Sequence, residues 1–374
     1  MNNPFSYTSY VVEQSFCNRQ KEQKDLMTYI KGSQNVVLFS HRRVGKTSLI
    51  HQVFNKMNQN KAYQNIGKLY IDLYGTFTEN EFISKLFSGF GQLESRVEKI
   101  LSIAKDVFKS TRFTFSYDPA SNSPSITPTF ENEHKNVLVD EVLTALEKFS
   151  QKRKLVVVLD EFQEIAHYGD STFEKKLRSK IQGHNNICYI FSGSQRHLLL
   201  EMFSSQKRAF YKLAEPYPLA LIETRHYEKW ITALFKKKKV TLNKELIRNI
   251  ISRCENHPMY IQQFLFHFWE KDEISEKNID SIEKQIIARR TLEFINLWES
   301  LTINQRKVLK LIIINNGKKM YQANSLQKIN FSNTSQVAIA LESLVKKDII
   351  SKNSHYSIQD IMFKKWIVSK ILKI

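Results

Sequence analysis

The chain has 374 residues, of which 42% are hydrophobic and 12% aromatic, and its formal net charge is +19. This length exceeds a single typical core, so we expect two or three domains. No apolar stretch approaches the ~20 residues of a membrane span, and the N-terminus lacks the basic start and apolar core of a secretory signal. Three widely spaced cysteines form neither a disulfide framework nor a zinc set, which indicates a cytoplasmic location.

The first predicted strand, residues 35–39, leads into a polar loop and then a helix. Backbone N–H groups at such a helix N-terminus, together with the helix dipole, favour a phosphate group. We predict that Lys46 reaches the β- and γ-phosphates of a nucleotide and that the Thr47 hydroxyl is a magnesium ligand. The usual pattern begins with glycine where this chain has Ser40. The predicted nucleotide-binding residues of the loop are Ser40, Arg43, Val44, Gly45, Lys46, Thr47 and Ser48.

A second motif is the apolar run that ends in two carboxylates at residues 155–161. This pattern is typical of a central parallel strand whose acidic end lies at the ligand edge of the sheet. Asp160 is the predicted second magnesium ligand, directly or through water. Glu161 is the predicted base that polarises the attacking water. Together the two motifs imply a nucleoside triphosphate and Mg²⁺.

The remaining pattern of the N-terminal half predicts a parallel α/β sheet, because buried strands alternate with helical stretches. Further strands are expected at residues 68–74, 187–192 and about 216–222. A whole strand separates the phosphate loop from the Asp-Glu strand, which favours the additional-strand class of P-loop ATPases. Residues 110–135 alternate with period two on both sides of a Pro- and Ser-rich turn, which predicts a β-hairpin insertion.

The C-terminal part predicts two further domains. From Thr224 to about Arg290 the pattern is helical throughout, whereas the last segment has two capped helices followed by two short strands, as in a winged helix. The predicted organisation is therefore an α/β P-loop ATPase core (1–222), a helical lid (223–298) and a winged-helix domain (299–374).

The winged segment is strongly basic. Residues 301–374 contain 13 lysines and arginines against 3 acidic residues. Such a concentration predicts a polyanion partner, double-stranded DNA, with the helix at about 333–347 in the major groove. Two alternatives remain open, a lysine-rich composition that raises charge everywhere and a winged helix that docks a protein. The residues predicted on the exposed side of that helix are Gln336, Ser343, Lys346 and Lys347.

Several motifs together resemble one family, the archaeal-type ATPases of the STAND branch of AAA-like P-loop proteins. The resemblance covers most of the chain, and Asn256 stands where glycine is usual. It implies ATP with magnesium, a nucleotide-driven switch and self-association into a homo-oligomer. The segments that carry it are Phe16–Arg19, Arg42–Leu49, Leu159–Gln163, Ser192–Gln195, Arg208–Tyr211, Asn256–Pro258 and the winged helix.

The resemblance also implies residue roles. It places Phe16 and Arg19 near the adenine, with helix capping and core packing as the alternatives. Ser194 belongs to a sensor strand, where it contacts the γ-phosphate or the lytic water or completes a strand-end turn. Arg208 is a candidate arginine finger, in cis or across a subunit interface, or a surface arginine. Pro258 belongs to the proline motif of the lid.

These observations support two hypotheses about function. The first is an ATP-hydrolysing switch in which Glu161, Lys46, Arg208 and Ser194 are catalytic and the nucleotide state is coupled to the winged helix. The alternative is a DNA-binding or protein-docking regulator in which ATP is structural and hydrolysis negligible.

Overall fold

A computed structural model describes residues 2–93, 112–118, 123–129, 135–169, 171–271, 275–331, 333–352 and 354–373. The chain divides into two compact units, Thr8–Ile222 and Met1–Tyr7 together with Glu223–Ile374. The first unit ends where the predicted ATPase core ends. The predicted lid and the predicted winged helix fall within the second unit, and their separation into two domains stays a prediction.

The first unit contains a parallel sheet and the helices that cover it. Its strands are β1 (Val36–Phe39), β2 (Gly67–Asp72), β3 (Arg112–Asp118), β4 (Ser123–Thr129), β5 (Leu155–Asp160), β6 (Ile187–Gly193) and β7 (Glu215–Pro218). Its α-helices are α1 (Gln20–Lys31), α2 (Lys46–Gln59), α3 (Glu79–Ser88), α4 (Lys135–Lys152), α5 (Ser171–Gly183) and α6 (Arg196–Ser204). Short 3-10 helices lie at Glu13–Ser15, Gly89–Gln92 and Phe162–His167.

The five-stranded sheet has the order β2-β5-β6-β1-β7, and its neighbouring strands are parallel. β1, β5 and β6 are buried along their whole length, which explains why they appear in the sequence as continuous apolar runs. β6 lies between β1 and β5, so the prediction of the additional-strand class is confirmed. This order brings the carboxyl ends of β1, β5 and β6 to one edge of the sheet.

Two local predictions in this unit are also confirmed. β3 and β4 pair antiparallel, with Arg112 opposite Thr129, as the predicted hairpin insertion requires. The turn of that hairpin, residues 119–122, lies outside the described residues. α3 begins with a capping box in which Thr78 and Glu81 satisfy each other's backbone N–H groups.

The second unit is helical up to the winged helix. Its helices are α7 (Thr224–Lys237), α8 (Lys244–Arg253), α9 (Pro258–Trp269), α10 (Glu276–Arg289), α11 (Thr291–Glu299), α12 (Ile303–Ile314), α13 (Ala323–Lys328), α14 (Thr334–Lys346) and α15 (Ile361–Trp366), followed by a π-helical turn at Ile367–Leu372. Within 224–271 and 275–290 the structure has no strand, as predicted. Asn256 has φ = 58°, which explains why glycine is usual there and why asparagine fits.

The C-terminal segment has the helices and the β-wing of a winged helix. Thr302 and Gln305 form the predicted capping box of α12. α14 buries the apolar face that its spacing predicts. The wing is an antiparallel hairpin of β8 (Ile350–Lys352) and β9 (Tyr356–Ile358). No helix among the described residues is both long and apolar enough to cross a membrane.

One prediction about α14 is wrong. Ser343 is half-buried, and its hydroxyl accepts a hydrogen bond from Gln305 Nε2 at 2.9 Å. Ser343 is therefore part of the packing between α12 and α14, whereas Gln336, Lys346 and Lys347 are exposed as predicted.

Candidate nucleotide-binding site

The loop between β1 and α2 has the backbone shape of a phosphate cradle. Gly45 precedes the first residue of α2 with φ = 99°, a conformation that side chains disfavour. Ser40 does not adopt a positive φ, so a serine fits at the start of the loop without backbone strain. Lys46 is buried, and its Nζ lies 3.5 Å from the Ser40 carbonyl oxygen and 3.4 Å from Ser40 Oγ. The exposed Arg43 is left-handed, with φ = 62°.

The two predicted metal ligands meet at the end of β5. Thr47 Oγ1 donates to Asp160 Oδ2 at 3.0 Å, although the two residues lie 113 positions apart. Asp160 is only 5% exposed, and its Oδ1 accepts from the Glu161 N–H at 3.1 Å. A hydroxyl and a carboxylate at a helix N-terminus are the hard oxygen donors that suit Mg²⁺ bound through nucleotide phosphates.

The structure adds a residue that the sequence did not single out. Tyr70 on β2 donates its hydroxyl to the same Asp160 Oδ2. Burial, followed by the nearby charge of Asp160, raises the pKa of Tyr70 well above its usual range. The phenol therefore remains a donor at neutral pH. The sequence shows a tyrosine on the second predicted strand, and its hydroxyl could have been considered as a hydrogen-bond donor. That this strand pairs with the Asp-Glu strand is known only from the strand order.

The predicted base is held by residues around the end of β6. Glu161 Oε2 accepts from Ser194 Oγ at 2.8 Å, from the Ser194 N–H at 3.1 Å and from Gln163 Nε2 at 2.6 Å. The backbone of Glu161 has a left-handed conformation, with φ = 51°. Such a conformation costs energy and is common at functional sites. A Cβ on Gly193 would lie 2.0 Å from Gln163 Oε1, so a larger residue there would have to move the Gln163 amide.

Arg19 lies against the phosphate loop. Its buried guanidinium donates to the Val44 carbonyl at 3.2 Å and to the Ala220 carbonyl at 2.6 Å, and it pairs with Glu22 at 3.0 Å. It therefore braces the loop to the chain segment that follows β7. Phe16 is half-buried against the apolar cluster beneath the same loop. Adenine contact by Phe16 and Arg19 stays a prediction, as does nucleotide contact by Pro258, which begins α9 in the second unit.

Arg208 forms a salt bridge within the first unit. Its Nη2 lies 2.5 Å from Glu174 Oε1 on α5, and its Nη1 lies 3.8 Å from Glu201 Oε1 on α6. Glu174 is 6% exposed. Burial raises the pKa of the Glu174 carboxyl, and Arg208 opposes that shift. In this arrangement the guanidinium has a structural role. To act as an arginine finger, Arg208 would have to break its ion pair with Glu174.

Replacing Arg208 with alanine should lower the free energy of unfolding by about 1–3 kcal/mol, because Glu174 then lacks its charged donor. Urea unfolding measures this loss, and adding Glu174→Gln to the same chain should recover most of it. Phosphate release separates the two roles. If Arg208 is an arginine finger, the double variant should release phosphate about 10³-fold or more slowly than wild type. If Arg208 is only structural, the rate of the double variant should be close to that of wild type. Unchanged stability of the single variant would argue against the ion pair.

The described residues contain no cluster of three or more His, Cys, Asp or Glu side chains with metal-binding geometry. The donor set of Thr47 and Asp160 therefore differs from an all-protein metal cage. It fits an ion that keeps several waters and is shared with substrate phosphates.

Comparisons with known proteins agree with this architecture. The profile of a probable winged helix domain matches residues 292–369. An uncharacterised ATP-binding protein of Methanocaldococcus jannaschii is 24% identical over 207 residues, which are 51% of this chain and 48% of that protein. The chain thus spans about half the length of this relative.

Two solved structures are similar over nearly the whole chain. A Walker-type ATPase of Pyrococcus abyssi has a TM-score of 0.70 at 15% identity, covering 99% of this chain and 100% of that one. The ORC2 protein of Aeropyrum pernix, in ADPNP–ADP complexes, has a TM-score of 0.58 at 15% identity, covering 99% and 98%. The chain therefore has the fold of a P-loop ATPase with a C-terminal winged helix, and the predicted fold class is confirmed.

Proposed function

We propose that this chain binds ATP with Mg²⁺ and hydrolyses its β–γ phosphoanhydride bond, as a nucleotide-driven switch. The contact between Thr47 and Asp160 at 3.0 Å, beside the buried Lys46, carries the proposal. Lys46 and Thr47 lie in the first turn of α2 and Asp160 lies at the end of β5. Together they present a cation and two oxygen donors at one edge of the sheet. The ATP-binding relative and the nucleotide complexes of the ORC2 protein add support.

Each residue has a defined part in the proposed reaction. The backbone N–H groups before α2 and the Lys46 ammonium bind the β- and γ-phosphates, where the helix dipole adds to the attraction. Thr47 and Asp160 would hold Mg²⁺, which when bound neutralises charge on the phosphate oxygens. Glu161 accepts a proton from the attacking water. Ser194 orients Glu161 through the two hydrogen bonds that it donates.

The wild-type chain tests the proposal directly. Calorimetry with a non-hydrolysable ATP analogue, in Mg²⁺ and in EDTA, should show tighter binding with the metal. Steady-state phosphate release should require both ATP and Mg²⁺. Binding without turnover would favour the alternative in which ATP is structural, and an absence of binding would overturn the proposal.

Contacts within the second unit support a proposal for how such a switch would reach the winged helix. Three ion pairs join α15, or the residue before it, to the turn after α8, to α10 and to the residue after α10. Because these pairs lie within one compact unit, we infer that the lid helices and the winged helix move together. The pairs are Lys364 with Glu255 at 2.8 Å, Arg290 with Asp360 at 2.7 Å, and Lys365 with Glu283.

We also propose double-stranded DNA as a partner of the winged segment, on the basis of its fold and basic charge. The ion pairs above engage two of its lysines, Lys364 and Lys365. Other lysines lie exposed around the turn between α12 and α13 and on the wing, namely Lys318, Lys319, Lys328 and Lys352. Lysines of this kind contact mainly phosphates, which makes binding strong at low salt and weakly dependent on base sequence.

Duplex DNA titrated with the full chain should bind with an affinity that falls steeply with salt, by a log–log slope of roughly −0.9 for each phosphate neutralised. Replacing Lys346 and Lys347 with alanine should weaken binding to all sequences and reduce that slope by about 2. The same change at Lys236 and Lys237 at the end of α7 removes equal charge outside the winged segment and serves as the control. A control variant as impaired as the test variant would mean that net charge alone drives binding.

The rival function, docking of a protein, has one specific observation in its favour. Ile339 lies in the middle of α14 and is 69% exposed. The neighbouring Lys346 pairs with Glu342 at 2.9 Å, so part of the charge on this helix is compensated. If duplex DNA fails to bind at low salt, with and without ATP, protein docking becomes the better-supported function of the winged helix.

A further inference from the structure

The candidate metal ligand Asp160 has one hydrogen-bond partner among the described residues that lies outside the two motifs, the side chain of Tyr70. Its Oδ2 accepts from Thr47 Oγ1 and from the Tyr70 hydroxyl, whereas its Oδ1 accepts from the Glu161 N–H. The carboxylate therefore has donors on both oxygens and is almost completely buried. Its orientation is fixed by three hydrogen bonds, of which only the one from Tyr70 comes from outside the two motifs.

The position of Tyr70 follows from the strand order. β2 is the neighbour of β5, and Tyr70 lies opposite Val158, two residues before Asp160. Its hydroxyl nevertheless reaches Asp160 Oδ2 at the end of β5. The Tyr70 ring contacts the ring of His51 on α2, with 4.9 Å between ring centroids and planes inclined by 40°. His51 in turn stacks on Tyr10, with centroids 3.9 Å apart and planes inclined by 12°.

We propose that Tyr70 is a positioning residue for the divalent metal ion, acting through Asp160. This proposal rests on the proposed function, in which Thr47 and Asp160 hold Mg²⁺. Mg²⁺ requires near-ideal octahedral geometry, so a ligand or a water acceptor that can rotate is a poor partner. The hydroxyl of Tyr70 adds to the hydrogen bonds from Thr47 and the Glu161 N–H in restraining rotation of the carboxylate about its Cβ–Cγ bond. The contact of the Tyr70 ring with His51, which itself stacks on Tyr10, keeps that hydroxyl in place.

The proposal predicts a specific defect for Tyr70→Phe. Removing a residue that orients a metal ligand typically costs about 10–100-fold in metal affinity. The affinity for a non-hydrolysable ATP analogue should stay within about twofold of wild type in EDTA, because Tyr70 has no part in the phosphate cradle. In titrations at increasing free Mg²⁺, the midpoint for the metal-dependent gain in affinity should rise by about 10–100-fold.

Tyr217→Phe is a matched control. Tyr217 on β7 donates its hydroxyl to Asp25 Oδ2 at 2.8 Å, so the variant also removes a tyrosine–aspartate hydrogen bond, but away from the candidate metal ligands. It should leave the Mg²⁺ midpoint unchanged. Thr47→Ala, which removes a direct ligand, should give a larger shift than Tyr70→Phe.

The outcomes separate this inference from the proposed function. If wild type gains affinity from Mg²⁺ and Tyr70→Phe has the same midpoint, Tyr70 has no positioning role and the inference is overturned. If Tyr217→Phe shifts the midpoint equally, the effect is not local and the inference also fails. If wild type shows no Mg²⁺ dependence, the proposed metal site itself is wrong and the inference falls with it.

Discussion

Lys46→Ala is expected to weaken the binding of ATP strongly, up to complete loss of measurable binding. The Lys46 ammonium is buried at the start of α2, next to Ser40, so its loss leaves the β- and γ-phosphates without the cation of the loop. Removing one partner of a buried, hydrogen-bonded charge pair costs about 2–5 kcal/mol, which corresponds to roughly 30- to 5,000-fold in affinity. Calorimetry with a non-hydrolysable ATP analogue and Mg²⁺ measures the change.

The control for this variant lies on the same helix. Lys56→Ala removes a lysine from the last turn of α2 and should retain wild-type affinity. Thermal unfolding adds an independent readout, because a ligand that binds only the folded chain raises its stability. Nucleotide should therefore raise the melting temperature of wild type and Lys56→Ala but not that of Lys46→Ala. Equal affinity in all three chains would rule out the phosphate-binding role of the loop.

Glu161→Gln is expected to bind ATP normally and to release phosphate at least 10²-fold more slowly, because a general base typically contributes about 10²–10⁴ in rate. An amide cannot take a proton from water. The glutamine oxygen can still accept the two hydrogen bonds from Ser194, so the local structure should persist. Steady-state phosphate release and calorimetry on the same preparation separate turnover from affinity.

Glu164→Gln is the matched comparison for Glu161→Gln. Glu164 is half-buried in the 3-10 helix that follows Glu161, and its Oε1 also lies near Gln163 Nε2, at 3.4 Å. It has no contact with Ser194 among the hydrogen bonds of the described residues. Its variant should turn over ATP at close to the wild-type rate. If both variants are slowed alike, the loss reflects disturbed packing. If neither is slowed, another group acts as the base.

The sequence was sufficient to predict which site residues lie close together where their positions follow from the direction of the strands. Thr47 and Asp160 could be paired in advance, because the carboxyl ends of neighbouring parallel strands meet at one edge and the loop follows one of those strands. Ser194 could be placed near Glu161 for the same reason. The apolar runs of β1, β5 and β6 were equally clear, because burial on both faces leaves no polar positions.

Other contacts could not be predicted, because they depend on which elements become neighbours. Tyr70 reaches Asp160 only because β2 lies next to β5, and Arg19 reaches Ala220 across 201 positions of sequence. The prediction that Ser343 is exposed was wrong for a different reason. Ser343 lies at the border of the buried face of α14, where helical spacing cannot decide between solvent and a partner such as Gln305.

The first residues of the chain have a consequence for how the protein can be divided. Phe5 is 2% exposed and fills an aromatic cluster of the second unit, with ring centroids 5.4 Å from Trp230 and 5.6 Å from Trp269. Deleting a buried phenylalanine typically costs about 3–5 kcal/mol. A recombinant fragment that starts at residue 223 therefore has a hole in its core. Domain boundaries for expression should follow the discontinuous unit, for example by fusing residues 1–7 to Glu223 through a flexible linker.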